Sequence, residues 1–558
     1  MRKRCLLAVV ASGATAVAGL GAVPGASALA ATAATATAVP HGGVLRVIMP
    51  WDKIPDNFNP LLPGGTSSTA GGTGSLLYEP LMYANAATGR YTPMLGTAYS
   101  WSDGNKILTL TTRTGVHWSD GKAFSASDVA FTFNYLKAHN VVDASGIWQD
   151  GLLAVRATGP STVVFTFSRP NVIALPFVLS QLIVPEHIWA KVATAVTFAN
   201  HKPVGTGPFL LKTYSPTEVS YTRNPDYWMA GRPYLSGVTM TASKIPDTVL
   251  FLNSDYAVTY QPLADPGSTF LAEDPADNHI WWPTTNLNFL YFNTTQAPFN
   301  DAAFRRAVAE ALNNSAIALR AYYGAVPAAA GPTETGVTNG QASQWVPASL
   351  RSLEWSYDPA KAAATLGSAG YLEADGSLLG QQGQPLPVFK ILIGAGWADY
   401  FSIAETVSQE LAALGIHTVI DQEPYAGYEK DISSGAYNLA IGWGNGNNIN
   451  PFYEYYYLLD GKTNTDWERY KSAKDSSALS SFETHASPLV QHADISTIER
   501  DILTNVPVVA LTGRPNFLDY QTRSFTGFPS AANPYNAGEP PDAFNGGAEQ
   551  LFLNVHLK

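Results

Sequence analysis

The chain has 558 residues, with 33 Lys or Arg against 44 Asp or Glu and a formal net charge of −11. That length is ample for a large core and exceeds one ordinary domain. The 47 Gly and 38 Pro, about 15% together, make the chain loop-rich but leave it far from low-complexity composition. Only 14% of residues are charged, so much of the surface is Ser, Thr, Asn, Gln and Gly. The acidic balance excludes a basic nucleic-acid-binding face and electrostatic docking on anionic lipid.

In chain order, Arg2, Lys3 and Arg4 precede an apolar run from Leu6 to Leu20, followed by small-residue sites at Ala26-Ser27-Ala28 and Ala28-Leu29-Ala30. This three-part pattern predicts a secretory signal peptide over residues 1–30. The run is short and broken by Gly, with Pro24 just beyond, so it is a poor candidate for a span that needs ~20 apolar residues. Residues 31–40 are Ala/Thr-rich and read as a flexible spacer. Without the first 40 residues, which hold three basic and no acidic side chains, 30 basic face 44 acidic ones, a net charge of −14. Cys5 is the only cysteine. It stands at the start of the apolar run, whereas a lipid-anchored cysteine would stand at its end. The expected product is exported, free of thiols and disulfides, and found in the periplasm or at the cell surface.

Val44 to Met49 reads as a first strand. Lys106 to Thr112 alternates, with Leu108 and Leu110 on one face, and Ser119-Asp120-Gly121-Lys122 is a turn signal. Ser125 with Asp128 makes a capping box before a helix whose Val129, Phe133 and Leu136 share a face. Thr162 to Phe167 alternates again. In the second half, Asn300 or Asp301 caps a helix with Phe304, Val308 and Leu312, stopped at Gly324. Asp358-Pro359 starts another, ended by Gly370. Val388–Ile393 is a strand, followed by a helix with Ala404, Val407, Leu411 and Leu414, then strands at Ile416–Ile420 and Tyr437–Trp443. The alternation predicts an α/β lobe. From about Val506 the text returns to short strands and loops, with residues 530–548 extended.

Enzyme signatures are scarce: there is no HExxH, no GxSxG and no Walker loop. The ten His residues are scattered without a ligand pair. No catalytic residue, metal site or cofactor is assigned. Gly394-Ala395-Gly396 sits between a strand and a helix, where a dinucleotide loop would be, but Asp399 takes the place of its third glycine and opposes a pyrophosphate. The run Phe452-Tyr453-Glu454-Tyr455-Tyr456-Tyr457 after Gly444-Asn445-Gly446-Asn447-Asn448 reads equally as a core segment or as one wall of a pocket.

Several ordered blocks resemble the family 5 solute-binding proteins of ABC importers, which bind dipeptides, oligopeptides, nickel or oligosaccharides. They are Leu77-Tyr78-Glu79-Pro80-Leu81, which resembles the family's early helix; Trp118-Ser119-Asp120-Gly121-Lys122-Ala123-Phe124; Pro203 to Phe209; Arg223-Asn224-Pro225-Asp226-Tyr227-Trp228; Pro298-Phe299-Asn300-Asp301 with Arg305-Arg306; and Tyr357-Asp358-Pro359. The resemblance implies a two-lobed periplasmic-binding-protein-like α/β fold (type II) with an extra domain in the first lobe. It implies limits of 41–75, 205–293 and 512–558 for the first lobe, 76–204 for the extra domain and 294–511 for the second lobe, with hinge crossings near Gly205 and Phe292. It also implies a monomer that hands a small molecule, an oligosaccharide or a peptide, to a membrane ABC permease. The competing readings are a secreted hydrolase acting on a polysaccharide and a nickel- or haem-binding relative.

In peptide-binding relatives an Asp three residues after the position of Trp443 holds the peptide ammonium. Here that position is Gly446. The departure favours a neutral, hydroxyl-rich ligand and puts an oligosaccharide ahead of a peptide. Trp397, Tyr400, Trp443 and Tyr453 are the expected ring faces, and Asn445, Asn447, Thr66 and Ser67 the expected hydrogen-bonding partners. In the alternative reading Tyr453 and its neighbours are core, and Asp399 or Glu454 replaces the missing Asp. N-terminal sequencing of the exported protein is expected to find a first residue between Ala28 and His41. An intact Met1 or a lipid on the chain would contradict the leader assignment.

Overall fold

The computed structural model describes residues 39–558 apart from 50–52, 63–72, 144, 244–250, 253–254, 330–334, 338–341, 445–448, 460–464 and 542–545. All elements below belong to the unit Pro40–Lys558. Three sheets organise it. A seven-stranded sheet runs, edge to edge, Asn278–Trp281, Leu518–Gln521, Val258–Thr259, Val44–Met49, Gly237–Ala242, Glu218–Arg223 and Phe209–Tyr214. A five-stranded sheet runs Thr418–Glu423, Phe389–Gly394, Leu439–Trp443, Thr284–Phe292 and Val508–Pro515. The third, four-stranded and antiparallel, runs Gly96–Ser102, Ile107–Thr112, Thr162–Phe167 and Leu152–Gly159.

The four-stranded sheet follows from its alternation. Leu108, Leu110, Val163, Phe165 and Phe167 point to one side and are buried, each worth roughly 1.5–3 kcal/mol relative to exposure. The helix Ala126–Ala138 covers them, its Phe133 ring 4.9 Å edge-on from Phe165. Ser125 and Asp128 form the expected capping box, and the Asp128 carboxylate also accepts from the Glu186 N–H at 3.1 Å. Gly205 and Gly207 answer to a close backbone approach. A Cβ at either would stand 1.8 Å from the Leu77 carbonyl oxygen or 2.3 Å from that of Leu76. The stretch Leu77–Leu81 is not a helix. One wide helical turn, Thr73–Leu77, precedes it, and Pro80 bridges to Leu182.

In the second half the helix expected from Asp301 to Gly324 is two helices, Ala302–Ala311 and Asn314–Tyr322. Leu312 turns extended and Asn313 caps the second helix by accepting from the Ala316 N–H at 3.1 Å, because an Asn competes well for a helix start. Asp301 and Asp358 cap as expected. The aromatic run is a helix, Phe452–Leu459. Two helices, Ala473–Thr484 and Pro488–Asn505, and a terminal one, Gly547–Asn554, carry no cue singled out in the sequence.

The strand register moves the crossings. Thr284–Phe292 pairs antiparallel with both Leu439–Trp443 and Val508–Pro515, so it lies wholly in the five-stranded sheet, as does Val508–Pro515. The chain therefore passes between the two large sheets at 282–283 and 516–517, not at Phe292. Gly205 lies instead on the connection between the four- and seven-stranded sheets. Trp282 Nε1–H donates to Asp519 at 2.8 Å, its ring meets Phe517 at 5.0 Å, and the Asn516 N–H donates to the Pro283 carbonyl at 3.1 Å.

A buried carboxyl pair ties the start of the four-stranded region to the C-terminal helix. The Tyr227 hydroxyl lies 2.9 Å from Glu79 Oε1 and 3.0 Å from Glu549 Oε1, and Trp228 Nε1–H donates to Glu79 at 2.8 Å. The single phenol proton serves one of the two carboxyls at a time, and the Trp228 N–H serves Glu79 as well. Burial drives both carboxyls upward, with the neighbouring carboxylate adding to the rise at Glu549. Nearby, Tyr83 donates to Glu539 at 2.9 Å, and burial lifts that carboxyl to about 7. The folded chain holds a proton there that the unfolded chain releases near pH 4.5. The Glu539 contribution is therefore full below pH 4.5 and is lost as the pH rises to about 7, an effect of about 3 kcal/mol. Urea unfolding at pH 4.5 and pH 7.5 is expected to show greater stability in acid. Glu539→Gln should reduce that difference, and an unchanged difference would contradict the assignment.

Candidate functional site

The carboxyl ends of adjacent parallel strands in an open α/β sheet are where ligands bind. Here Phe389–Gly394 and Leu439–Trp443 are such neighbours. Beyond the first, Gly394 makes room for the Trp397 ring, since a Cβ there would stand 2.5 Å from the indole. Gly396 takes φ +84° in the turn. The helix Ala398–Ala412 then begins with Asp399 in its first turn and buries Tyr400, Ile403, Ala404, Val407 and Leu411. Trp443 closes the second strand. The two indoles meet at 5.7 Å and 64°, Tyr400 lies 5.3 Å from Trp397, and Tyr428 stacks on Trp443 at 5.7 Å and 28°.

These rings form one wall of a cavity of about 470 Å³. Tyr322, Asp399 and Tyr425 add to that wall. Tyr260, Pro262 and Pro540 come from segments that adjoin the seven-stranded sheet, and Arg514, Pro515, Asn516 and Phe517 come from the second crossing. The cavity thus lies between the two large sheets and at the crossing that joins them.

A hydrogen-bond chain fixes its polar groups. Asn288, on the strand Thr284–Phe292, donates to Tyr322 Oη at 2.7 Å and to Thr512 Oγ1 at 3.0 Å, and accepts from the Tyr400 hydroxyl at 2.9 Å. The Tyr322 hydroxyl in turn donates to Asp399 Oδ2 at 3.3 Å. Burial raises the Asp399 carboxyl above its ordinary range, against the lowering effects of the Tyr400 N–H, the Tyr322 hydroxyl and the Arg514 charge. The Arg514 guanidinium stands 5.5 Å from the centroid of a Trp443 ring.

Of the expected site residues, Trp397, Tyr400 and Trp443 meet at this cavity. Tyr453 does not. Its ring is buried against Phe177 at 5.0 Å and its hydroxyl donates to the Ile173 carbonyl. An aromatic on a helix packed on two sides serves the core. Thr66, Ser67, Asn445 and Asn447 lie outside the described residues, as does Gly446. Of the two carboxylates weighed as replacements, Glu454 packs behind the strand end, where its Oε1 would stand 2.4 Å from a Cβ at Gly444. Asp399 lines the cavity. The turn at Gly394–Gly396 holds an indole and leaves no cradle for a pyrophosphate. Sequence reasoning missed Arg514, Phe517, Tyr322 and Tyr260. The signal for Arg514 was present: it is the one charged residue in the run Val508–Pro515.

A family model described as "Bacterial extracellular solute-binding proteins, family 5 Middle" matches residues 90–466. The chain belongs to this family. The glutathione-binding protein GsiB of Salmonella choleraesuis (strain SC-B67) is 26% identical over 337 residues, which cover 58% of this chain and 59% of that protein. This chain's match therefore spans only about three fifths of that relative. The dipeptide-binding protein of Escherichia coli (strain K12) is 26% identical over 434 residues, 71% of this chain and 75% of that one. The fold matches a periplasmic oligopeptide-binding protein of an ABC transporter from Thermotoga maritima with a TM-score of 0.84 at 21% identity, covering 92% of this chain and 99% of that one. A mannohexaose-bound structure of that protein matches with a TM-score of 0.76. Family 5 proteins bind solutes outside the cytoplasm. Among the described residues no helix is long and apolar enough to cross a membrane.

Tyr322→Phe removes the donor to Asp399 and the acceptor for Asn288. It is expected to cost about 1 kcal/mol, read as a lower urea midpoint at unchanged slope. No change in midpoint would show that the chain of hydrogen bonds does not hold the pocket.

Proposed function

We propose that this protein captures a small polar solute in the cavity between the two large sheets and delivers it to a membrane ABC permease from the periplasm or cell surface. The observation that carries the reading is the cavity itself: aromatic walls from one sheet, a facing wall from the other, and the crossing strand between them. An apolar-walled cleft with a few directed polar groups is the usual form of a small-molecule site. On this reading the lobes are 41–75, 205–283 and 516–558 on one side and 284–515 on the other, with 76–204 as the extra domain. The hinge is at 282–283 and 516–517.

The ligand is an oligosaccharide or an oligopeptide. The rings of Trp397, Tyr400 and Trp443 offer flat faces to sugar rings or to apolar side chains. The relatives named for dipeptide and glutathione support the peptide, and the mannohexaose complex of the Thermotoga maritima protein supports the sugar. A two-carboxylate hydrolase is less well supported, because the described lining of the cavity contains one carboxylate, Asp399. A metal-binding reading lacks a site: among the described residues no group of three or more His, Cys, Asp or Glu is arranged to hold an ion.

Calorimetry with cello-, xylo- and malto-oligosaccharides and with di- to pentapeptides tests capture. Small-angle scattering at saturating ligand tests closure. The expected outcome is saturable 1:1 binding with a smaller radius of gyration, and loss of binding in a folded Trp443→Ala variant. Binding that leaves the radius of gyration unchanged would contradict the hinge, and no binding by any ligand would contradict capture.

A further inference from the structure

One segment of residues 76–204 belongs to two cores. It is the turn Val172–Ala174 with the short helix Leu175–Ser180. Ala174, Val178 and Leu179 are buried with Leu108, Phe133 and Phe165 beside the four-stranded sheet. Ile173 is buried instead with Phe452, Tyr453 and Phe482, on the helices Phe452–Leu459 and Ala473–Thr484 of the second lobe. Three further contacts join the same partners. The Tyr453 hydroxyl donates to the Ile173 carbonyl, the Phe177 ring meets the Tyr453 ring edge-on at 5.0 Å, and Arg169 pairs with Glu483. The segment is anchored at its base, where the Asn171 amide donates to the Asp150 carbonyl at 2.7 Å. Residues 76–204 are in turn tied to the first lobe. Tyr83 donates to Glu539 at 2.9 Å, Asn85 to the Pro534 carbonyl at 2.8 Å, and Asn59 to the Ala195 carbonyl at 2.8 Å.

We infer that Ile173, Tyr453 and the Arg169–Glu483 pair form a latch between the extra domain and the second lobe, which sets how firmly the lobes close whatever the cavity holds. The inference rests on the lobe limits of the capture reading and adds a conformational device to it. The reason is geometric. The extra domain moves with the first lobe, so a turn at 282–283 and 516–517 displaces Tyr453 and Glu483 from Ile173 and Arg169. Opening exposes Ile173, returns the Tyr453 hydroxyl and the Ile173 carbonyl to water, and parts the ion pair. Burying one aliphatic side chain and keeping one hydrogen bond shift a two-state equilibrium by on the order of tenfold. A contact made only in the closed state adds its factor to the affinity of every ligand alike, because a ligand binds more tightly when the state it selects is more populated. The latch is also built to part. A gap of about 180 Å³ remains among Val172, Ile173, Trp345, Phe482 and Gln491, and side chains that line a gap lose part of their packing.

The test compares wild type with Tyr453→Phe, Arg169→Glu, Glu483→Arg and the double exchange of Arg169→Glu with Glu483→Arg. Tyr453→Phe keeps the ring and removes only the donor, and circular dichroism checks that each variant is folded. Small-angle scattering gives the radius of gyration of the free protein. Calorimetry gives the affinity for cello- and malto-oligosaccharides and for a pool of di- to pentapeptides. Loss of the latch lowers the affinity of a protein that is mostly open when free, and enlarges the free radius of one that is mostly closed. Tyr453→Phe is expected to do one or the other, with any loss of affinity the same for every ligand that wild type binds, about three- to tenfold. Each single charge exchange should act in the same direction, and the double exchange should restore the wild-type values. Unchanged affinity with an unchanged free radius, a loss that differs between ligands, or single exchanges that the double exchange does not rescue would overturn the inference. A wild type that binds nothing would remove the capture reading, and the free radius alone would then decide the latch.

Discussion

Two neighbouring strands, Thr284–Phe292 and Val508–Pro515, constrain everything else in this molecule. They pair antiparallel inside the five-stranded sheet, and their outer ends are the two places where the chain leaves it for the seven-stranded sheet. The register between them is interrupted near Thr284 and Asn286 and again near Asn288 and Phe289. Such irregularities twist a strand and re-aim its side chains. Asn288, which sits at the second of them, holds Tyr322 and Tyr400. The residues just past the other end, Asn516 and Phe517, are both part of the crossing and part of the cavity wall. A ligand that touches them touches the element on which lobe movement would turn.

Polar groups in the interior are satisfied in two different ways. Glu79 and Glu549 share a single phenol, and Glu539 lies under Tyr83. Burial pushes these carboxyls upward, and they act as hydrogen-bonding struts between chain segments far apart in sequence. Asp399 also feels burial, but it opens into a cavity, and the Arg514 guanidinium at the crossing pulls in the opposite direction. A carboxyl enclosed on all sides gains most from a proton, while one facing a cleft can gain from a ligand's charge.

The same distinction sorts the aromatic residues. Tyr453, Phe452 and Tyr455 belong to a helix packed against Phe482, Glu499 and the Ile173 loop. Their rings are covered on both sides. Trp397 and Trp443 stand at strand ends and Tyr400 in the first turn of the helix after one of them, where the sheet stops supplying neighbours, and all three line the cavity. Residue type does not separate the two groups. Their place relative to the end of the sheet does.

Much of the local structure was legible in the chain itself. The capping box at Ser125 and Asp128, the caps at Asp301 and Asp358, the alternation of Thr162–Phe167 and the strand–helix–strand order around Phe389–Glu423 all depend on neighbours within a few residues, so a linear reading finds them. The ordered blocks shared with family 5 proteins were legible for the same reason: they are turns, caps and close-packed glycines. Three of the ring residues were legible because they flank predicted strands. The break at Asn313, the crossings at 282–283 and 516–517, and the fate of Tyr453 were not, since each depends on which distant strand or loop packs alongside. The sequence by itself determined the α/β character, the acidic and cysteine-poor composition and the aromatic supply. Only the tertiary structure decided that Asp399 and Arg514 share one cavity while Glu454 does not. Strand register and lobe packing set those positions, and both are long-range consequences of burying apolar faces that no local pattern records.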